Sequence, residues 1–283
     1  MMRIVIGVVL VMVVSADPTR LFHWGGPGSD EGRFSAISGL DYSDGKVYVA
    51  DLLNNRVQVL WENGTFIQAW EGPEPASVQV CGDDVFVSFG STLVKFDKDG
   101  NRLTEWKSPA APQSTFVAIA CSEDKKEVYV TDTLQFKVWV FDRDDGQVLR
   151  SIGSKGDKDG QFLQPQGIIF KNGFVYVADS TNWNFQRFTG AGEFEDGWGG
   201  PRVEPFISVP VEMDLFKNVL FVAAYGNNMV FEFDLNGKFW KSFNVPEQPH
   251  GLAIDGTRVA ISFEDRDKVE IWDISSEVES SAL

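Results

Sequence analysis

The residues of this chain best suited to chemistry are few and mostly acidic. Among 283 residues there are two histidines, His23 and His250, and two cysteines, Cys81 and Cys121. Catalytic zinc takes three protein ligands rich in nitrogen or sulfur, so two distant histidines do not make a three-histidine centre. An oxygen-rich set is available instead in Asp41, Glu212, Asp214 and His250. Donors of this kind suit a hard cation such as calcium. They serve equally well as the solvated lining of a channel or as acceptors for turn amides, and no metal-loop spacing joins them. No nucleophile–base pair stands out in any motif. Which role the carboxylates take depends on the elements that hold them.

Residues 1–16 (MMRIVIGVVLVMVVSA) carry one early cation, Arg3, then an apolar run from Ile4 to Val14 and small residues at Ser15 and Ala16. That is the pattern of a signal peptide, and the run is short for a membrane span. The mature chain is therefore expected to be secreted and extracellular, with no stable membrane insertion. In that setting Cys81 and Cys121 form a candidate disulfide, two buried free thiols being the alternative. Asn63-Gly64-Thr65 is a glycosylation sequon. Losing Arg3 with the leader leaves 24 cations against 41 carboxylates, a net charge of −17. So acidic a surface repels phosphate backbones and argues against a nucleic-acid partner.

The frame that positions these groups is a repeat. The runs KVYVAD (Lys46–Asp51), DVFVSF (Asp84–Phe89), EVYVTD (Glu127–Asp132), FVYVAD (Phe174–Asp179), VLFVAA (Val219–Ala224) and RVAISF (Arg258–Phe263) start 38, 43, 47, 45 and 39 residues apart. That period fits a unit of four short strands. Each run is followed by a second strand and a polar turn, such as Asn63-Gly64 or Asp99-Gly100, which supplies the positive φ of a tight hairpin. An outer strand follows, and an inner strand precedes each unit, often opening on proline (Pro165, Pro210, Pro249). Six inner strands and six of each middle strand are present, yet only five outer strands follow in order. The missing copy is TRLFHW, from Thr19 to Trp24. Pairing it into the last unit closes the ring and removes the open edge. The expected fold is an all-β, six-bladed β-propeller over residues 17–274, with a Ser- and Glu-rich tail at 275–283. Closure places His23 at the rim, far from the axis.

The stretch GRFSAISGLDYSDGKVYVADLLNNRVQVLWENGTF, from Gly32 to Phe66, resembles an NHL repeat, and DGQFLQPQGIIFKNGFVYVADSTNWNFQRF, from Asp159 to Phe188, resembles it again. Repeats 2, 5 and 6 depart from the pattern, with Phe89, Ala224 and Phe263 where the aspartate of V-A-D belongs. The resemblance implies the propeller, and with it several activities, since one fold hosts many functions. Intracellular NHL ligases carry zinc modules that two cysteines and two histidines cannot build. PHGLAID, from Pro249 to Asp255, is similar to a P-H-S-L-A stretch of peptidyl-α-hydroxyglycine amidating lyases. Those use three histidines, and here the matching positions hold Ser38, Ala76, Val117, Gln166 and Val211. Gluconolactonase-type propellers, with a calcium ion on the axis, supply the model for Asp41, Glu212, Asp214 and His250 converging from blades 1, 5 and 6.

Asp51, Asp132 and Asp179 recur at strand ends and are expected to hold turn amides. Tyr48, Phe86, Tyr129, Tyr176 and Phe221 share one place in the repeat and are expected to fill the core between blades. The longest loops, from Gly153 to Gly160 and from Gly197 to Pro205, are where recognition is expected. The function that follows is a secreted scaffold binding a protein, peptide or glycan on one face. The alternative is a metal-dependent lyase or hydrolase at the central tunnel.

Overall fold

The computed structural model describes residues 18–124 and 126–275. The expected signal peptide lies outside the described residues, as does the tail beyond Ser275. Six four-stranded antiparallel sheets form the ring. Blade 1 is Ile37–Ser43, Lys46–Asp51, Arg56–Trp61 and Phe66–Glu71. Blade 2 is Pro75–Cys81, Asp84–Phe89, Thr92–Asp97 and Arg102–Lys107, and blade 3 is Phe116–Cys121, Glu127–Asp132, Lys137–Asp142 and Val148–Ile152. Blade 4 is Pro165–Lys171, Phe174–Asp179, Asn184–Thr189 and Phe194–Gly199. Blade 5 is Pro210–Phe216, Val219–Ala224, Met229–Asp234 and Phe239–Asn244. Blade 6 combines Leu252–Asp255, Arg258–Phe263 and Lys268–Asp273 with Thr19–Gly25 from the other end of the chain. Phe194–Gly199 absorbs the start of one expected loop, which therefore runs over 200–209.

The seam closes as the strand count requires. Thr19 pairs with Asp273 and Trp24 with Val269 in an antiparallel register, and Arg20 reaches the buried Glu270 at 3.0 Å. Trp24 also makes the contact that joins blade to blade around the ring. Its indole lies against Gly64 in the outer hairpin of blade 1, where a Cβ would come within 2.6 Å of the ring. Its Nε1 donates to the Glu62 carbonyl at 2.9 Å. Trp70, Trp106 and Trp198 meet Gly100, Gly146 and Gly237 of the next blade in the same way. The turn glycine thus has two reasons to be glycine, positive φ and the close approach of the neighbouring indole.

Between blades the core is aromatic and aliphatic. Tyr48, Phe86, Tyr129, Tyr176 and Phe221 are all fully buried at the shared repeat position. The strand-end aspartates accept loop amides as expected. Asp51 takes the Ser35 N–H at 2.7 Å, Asp132 that of Thr115 at 3.0 Å, and Asp179 those of Leu163 and Gln164 at 2.8 and 2.9 Å. Cys81 and Cys121 form a disulfide between the inner strands of blades 2 and 3, with Cα atoms 6.2 Å apart and 40 residues between them in sequence. Closing a loop of that length removes chain entropy worth about 4 kcal/mol on the loop-entropy account. Among the described residues no helix is long and apolar enough to cross a membrane.

Candidate functional site

The inner strands converge on the axis, and their sequence positions decide what faces it. Counting Ile37, Pro75, Phe116, Pro165, Pro210 and Pro249 as the first position, the axial cavity is lined by third-, fourth- and fifth-position residues. The third position is Gly39, Ser77, Ala118, Gly167 and Gly251 in five blades, because the blades approach closely there. A Cβ on Gly167 would lie 2.8 Å from Glu212 Cα. Glu212 is the large exception in blade 5. The fifth position holds Asp41 in blade 1 and Asp214 in blade 5.

Asp41 and Asp214 do the same work in their two blades. Asp41 accepts the N–H of Tyr42 at 2.7 Å, and across the blade boundary the N–H of Val80 at 2.6 Å and Gln79 Nε2 at 3.0 Å. Asp214 accepts the N–H of Leu215 at 2.7 Å and, from blade 6, that of Ile254 at 2.6 Å. Each carboxylate therefore stitches its inner strand to the next one. Glu212 differs: its Oε1 takes only the N–H of the following residue, Met213, at 3.1 Å. All three groups are enclosed by the ring, and the surface that Glu212 and Asp214 retain faces the cavity they line.

Enclosure disfavours charge. Burial pushes Asp41 up to about 6, against the lowering pull of the Val80 and Tyr42 amides. It pushes Asp214 up to about 7, and the charge of Asp41 adds to the effect. It pushes Glu212 up to about 8, with Asp214 and Asp41 adding to the rise. A fourth carboxyl, Glu232 on the third strand of blade 5, is raised by burial to about 7, with Lys241 pulling the other way. Both its oxygens lack a hydrogen-bond partner. Nothing in the repeat pattern singles it out.

The four groups expected to converge are not brought together as a set. Asp41, Glu212 and Asp214 share the axial cavity, while His250 is outside its lining. His250 occupies the second inner-strand position, just ahead of Leu252–Asp255, and its backbone N–H bonds the Ser262 carbonyl at 2.9 Å. In the other five blades the register shifts at this same point, between Ile37 and Gly39 in blade 1 and Pro210 and Glu212 in blade 5, for example. Such bulges re-aim side chains. Among the described residues no three His, Cys, Asp or Glu side chains stand close enough to share a metal ion. Calcium asks for six to eight oxygens, and the oxygens of Asp41 and Asp214 already hold backbone amides. The axial set does not fit that ion. His23 is exposed on the closing strand, opposite Glu270. Asn63 is exposed at the tip of the blade 1 outer hairpin, its Oδ1 accepting the Thr65 N–H at 3.0 Å.

Space for a ligand lies elsewhere. The axial cavity is small, about 30 Å³. Open hollows elsewhere are far larger, and two of them exceed 400 Å³. One, of about 540 Å³, sits on the face that carries the long loops and is bounded by Asp157, Leu163 and the segment from Thr181 to Asn184. The register that pairs Pro165 with Asp179 and Asn184 with Gly199 brings loops 153–164, 180–183 and 200–209 to this one end of blade 4. The other, of about 420 Å³, is on the opposite face, with Asn172, Lys217, Asp234, Asn236 and Trp240 in its wall.

The chain resembles many solved structures, three of which follow. Virginiamycin B lyase from Staphylococcus aureus matches with a TM-score of 0.61 at 16% identity, covering 84% of this chain and 95% of that one. A Bacteroides thetaiotaomicron protein of unknown function gives a TM-score of 0.74 at 13% identity, covering 88% of this chain and 74% of that one. A streptogramin B lyase gives 0.63 at 16% identity, covering 91% and 96%. At these identities the likeness defines a class, the six-bladed β-propellers. No protein-family model and no curated protein sequence matches the chain.

Proposed function

We propose that the chain is a secreted propeller of the NHL-repeat type that works as a binding scaffold, taking its ligand on the long-loop face. The observation that carries this reading is where open volume and polar side chains coincide. They do so at the hollow of about 540 Å³ among the blade 4 loops, within the roughly 300–1,000 Å³ usual for small-molecule sites. Repeats 1, 3 and 4 keep the NHL pattern most fully, and the disulfide between blades 2 and 3 accords with an oxidising compartment. The exposure of Asn63 at a hairpin tip leaves room for a glycan there. A mass shift on enzymatic deglycosylation of the secreted protein, absent in Asn63→Gln, checks that part.

The alternative, a lyase or hydrolase at the tunnel, has one observation in its favour. Three axial carboxyls have pKa values raised to about 6, 7 and 8, a property that also marks acid–base catalysts. Two of the similar structures are lyases. Against it stands the small size of the axial cavity, about 30 Å³. The two readings separate on one comparison. Binding of any ligand from secreted-protein and glycan arrays should fall with substitutions at Trp183, or at Leu134, which is exposed in the blade 3 loop between Glu127–Asp132 and Lys137–Asp142, and survive Glu212→Gln. Hydrolysis of gluconolactone, or cleavage of a peptidyl-α-hydroxyglycine, that disappears in Glu212→Gln would overturn the scaffold reading.

A further inference from the structure

The loop between the second and third strands ends, in most blades, on a residue with left-handed backbone. Blades 1, 5 and 6 use Asn55 (φ 56), Asn228 (φ 55) and Asp267 (φ 49). Asparagine and aspartate adopt this conformation more readily than other side-chain-bearing residues. Blades 3 and 4 instead place Phe136 (φ 57) and Trp183 (φ 57) there. Bulky aromatic residues are poor choices for that backbone, and the other blades show that the fold does not ask for them. Strain kept against an available alternative points to function.

The surroundings of Trp183 say what function. Its ring is held edge-on by Phe206, centroids 5.3 Å apart at 87°, and is half-buried in the wall of the hollow. On the blade 3 side, Lys155 lies over the Phe136 ring at 4.6 Å. That contact anchors loop 153–164, which then carries Asp157 to the hollow. The polar groups here are chiefly acceptors. Asn182 uses its Nδ2 on Asp179 and Gly156, so its Oδ1 is what it can offer. Thr181 uses its hydroxyl proton on Gln164 at 2.8 Å. Asn184 keeps an Oδ1 that is shielded from water and takes no hydrogen bond. In the hollow on the opposite face the equivalent groups are occupied. Asp234 Oδ1 accepts the N–H groups of Asn236 and Lys238, and Asn236 Oδ1 faces Arg187.

We propose that the blade 4 hollow is a saccharide site, in which Trp183 is the platform for a sugar ring of a neutral oligosaccharide and Asn182 and Asp157 accept from its hydroxyls. An indole offers a flat apolar face to the C–H side of a pyranose, and amide and carboxylate oxygens match a ring of O–H donors. The net charge of −17 on the mature chain disfavours an anionic glycan. A lone ammonium group would be poorly matched to a hollow of this volume.

The inference rests on the scaffold reading and narrows its ligand. Its test is an array of neutral oligosaccharides (cello-, manno- and chito-series) probed with the full chain, followed by calorimetric titration of the strongest binder. Saturable binding is expected, weakened at least tenfold by Trp183→Asn and by Asp157→Ala, and unchanged by Trp240→Ala on the opposite face. Trp183→Asn installs the residue that blades 1 and 5 use, so loss of binding with an unchanged thermal melt separates recognition from folding. Absence of any saccharide binding overturns the inference, as does binding that survives Trp183→Asn or falls equally in Trp240→Ala. Choline binding at Trp183 in place of a saccharide also overturns it. A partner found only on a secreted-protein array, lost by Leu134 or Trp183 substitution, overturns the saccharide inference and leaves the scaffold reading standing.

Discussion

The axis and the blade 4 hollow are both places where one or two repeats depart from the others, and they treat their new polar groups in opposite ways. At the axis, Asp41 and Asp214 replace the uncharged residues of the other blades and bind the neighbouring inner strand by backbone amides at 2.6 Å. In the hollow, Asn182 commits only its Nδ2 and Trp183 holds a left-handed backbone. Groups that a fold introduces and then satisfies maintain the fold. A bulky residue that it holds at a cost in backbone strain points to something outside. Location within a cavity is therefore a weaker guide to function than the state of the hydrogen bonds around it.

The strongest way to break this contrast is to break the ring, because the seam ties the two ends of the chain into one blade. Deleting residues 17–24 removes the pairing with Lys268–Asp273, the Arg20–Glu270 ion pair and the Trp24–Gly64 contact together. Loss of a cooperative thermal transition is expected, and a wild-type-like melt would show that the seam does not hold the ring. Next in size is the pH response of the interior. Glu212, Asp214, Asp41 and Glu232 have folded pKa values raised to about 8, 7, 6 and 7, above ordinary carboxyls near 4. The folded state binds these protons more tightly than the unfolded state, so stability should be greatest near pH 4–5 and fall as pH rises to 8. Each group contributes a slope of up to about 1.4 kcal/mol per pH unit within its own window. Glu212→Gln should flatten the fall between pH 7 and 8 and raise the melting temperature at pH 8. A profile identical to wild type would remove Glu212 from the enclosed set.

Much of the interior was legible in sequence because repetition is a strong signal. The recurring V-Y-V-A-D runs define strands, and the tally of outer strands assigns Thr19 to Trp24 to blade 6. The aspartates Asp51, Asp132 and Asp179 were legible for the same reason. The axial set was legible only in part. Which inner-strand residues reach the cavity depends on the register shift near its mouth, a backbone feature with no residue signature, and this leaves His250 out of the lining. The bonds from Asp41 to Val80 and from Asp214 to Ile254 cross blade boundaries, where single-chain spacing carries no information. Trp183 reads in sequence as one more aromatic residue of the repeat. Its register opposite Asn55 and Asn228 of other blades was available as a signal, but its significance needs the φ angle.

A smaller effect tests the stitch itself. Asp214→Ala leaves the Ile254 and Leu215 amides enclosed without an acceptor, which should cost about 1–3 kcal/mol. Urea unfolding at pH 6 is the measurement, since the native group there is largely neutral and charge relief does not mask the loss. Asp214→Asn keeps one acceptor oxygen for the two amides and sets its NH2 against the other N–H, so it should recover at most part of the loss. If Asp214→Ala proves neutral, the axial carboxyl is not structural and the contrast with the hollow collapses from the interior side.

The smallest expected change is at Trp183, and its smallness is what it tests. An L-residue in left-handed backbone bears strain of about 1–2 kcal/mol, part of which Trp183→Asn should relieve. The substitution also removes the edge-on contact with Phe206, worth roughly 0.5–1.5 kcal/mol. The two terms nearly cancel, so the melting temperature should move by no more than about 2–4 °C for a domain of this size. A tryptophan that served the blade 4 core would behave differently. Trp198, packed on Phe185 with centroids 5.3 Å apart and against Gly237 of the next blade, should lose several kcal/mol when cut to alanine. Comparable losses at Trp183 and Trp198 would mean that the strained aromatic is ordinary packing. A near-silent melt at Trp183, beside a large one at Trp198, would leave the strain without a structural beneficiary and assign it to the ligand face.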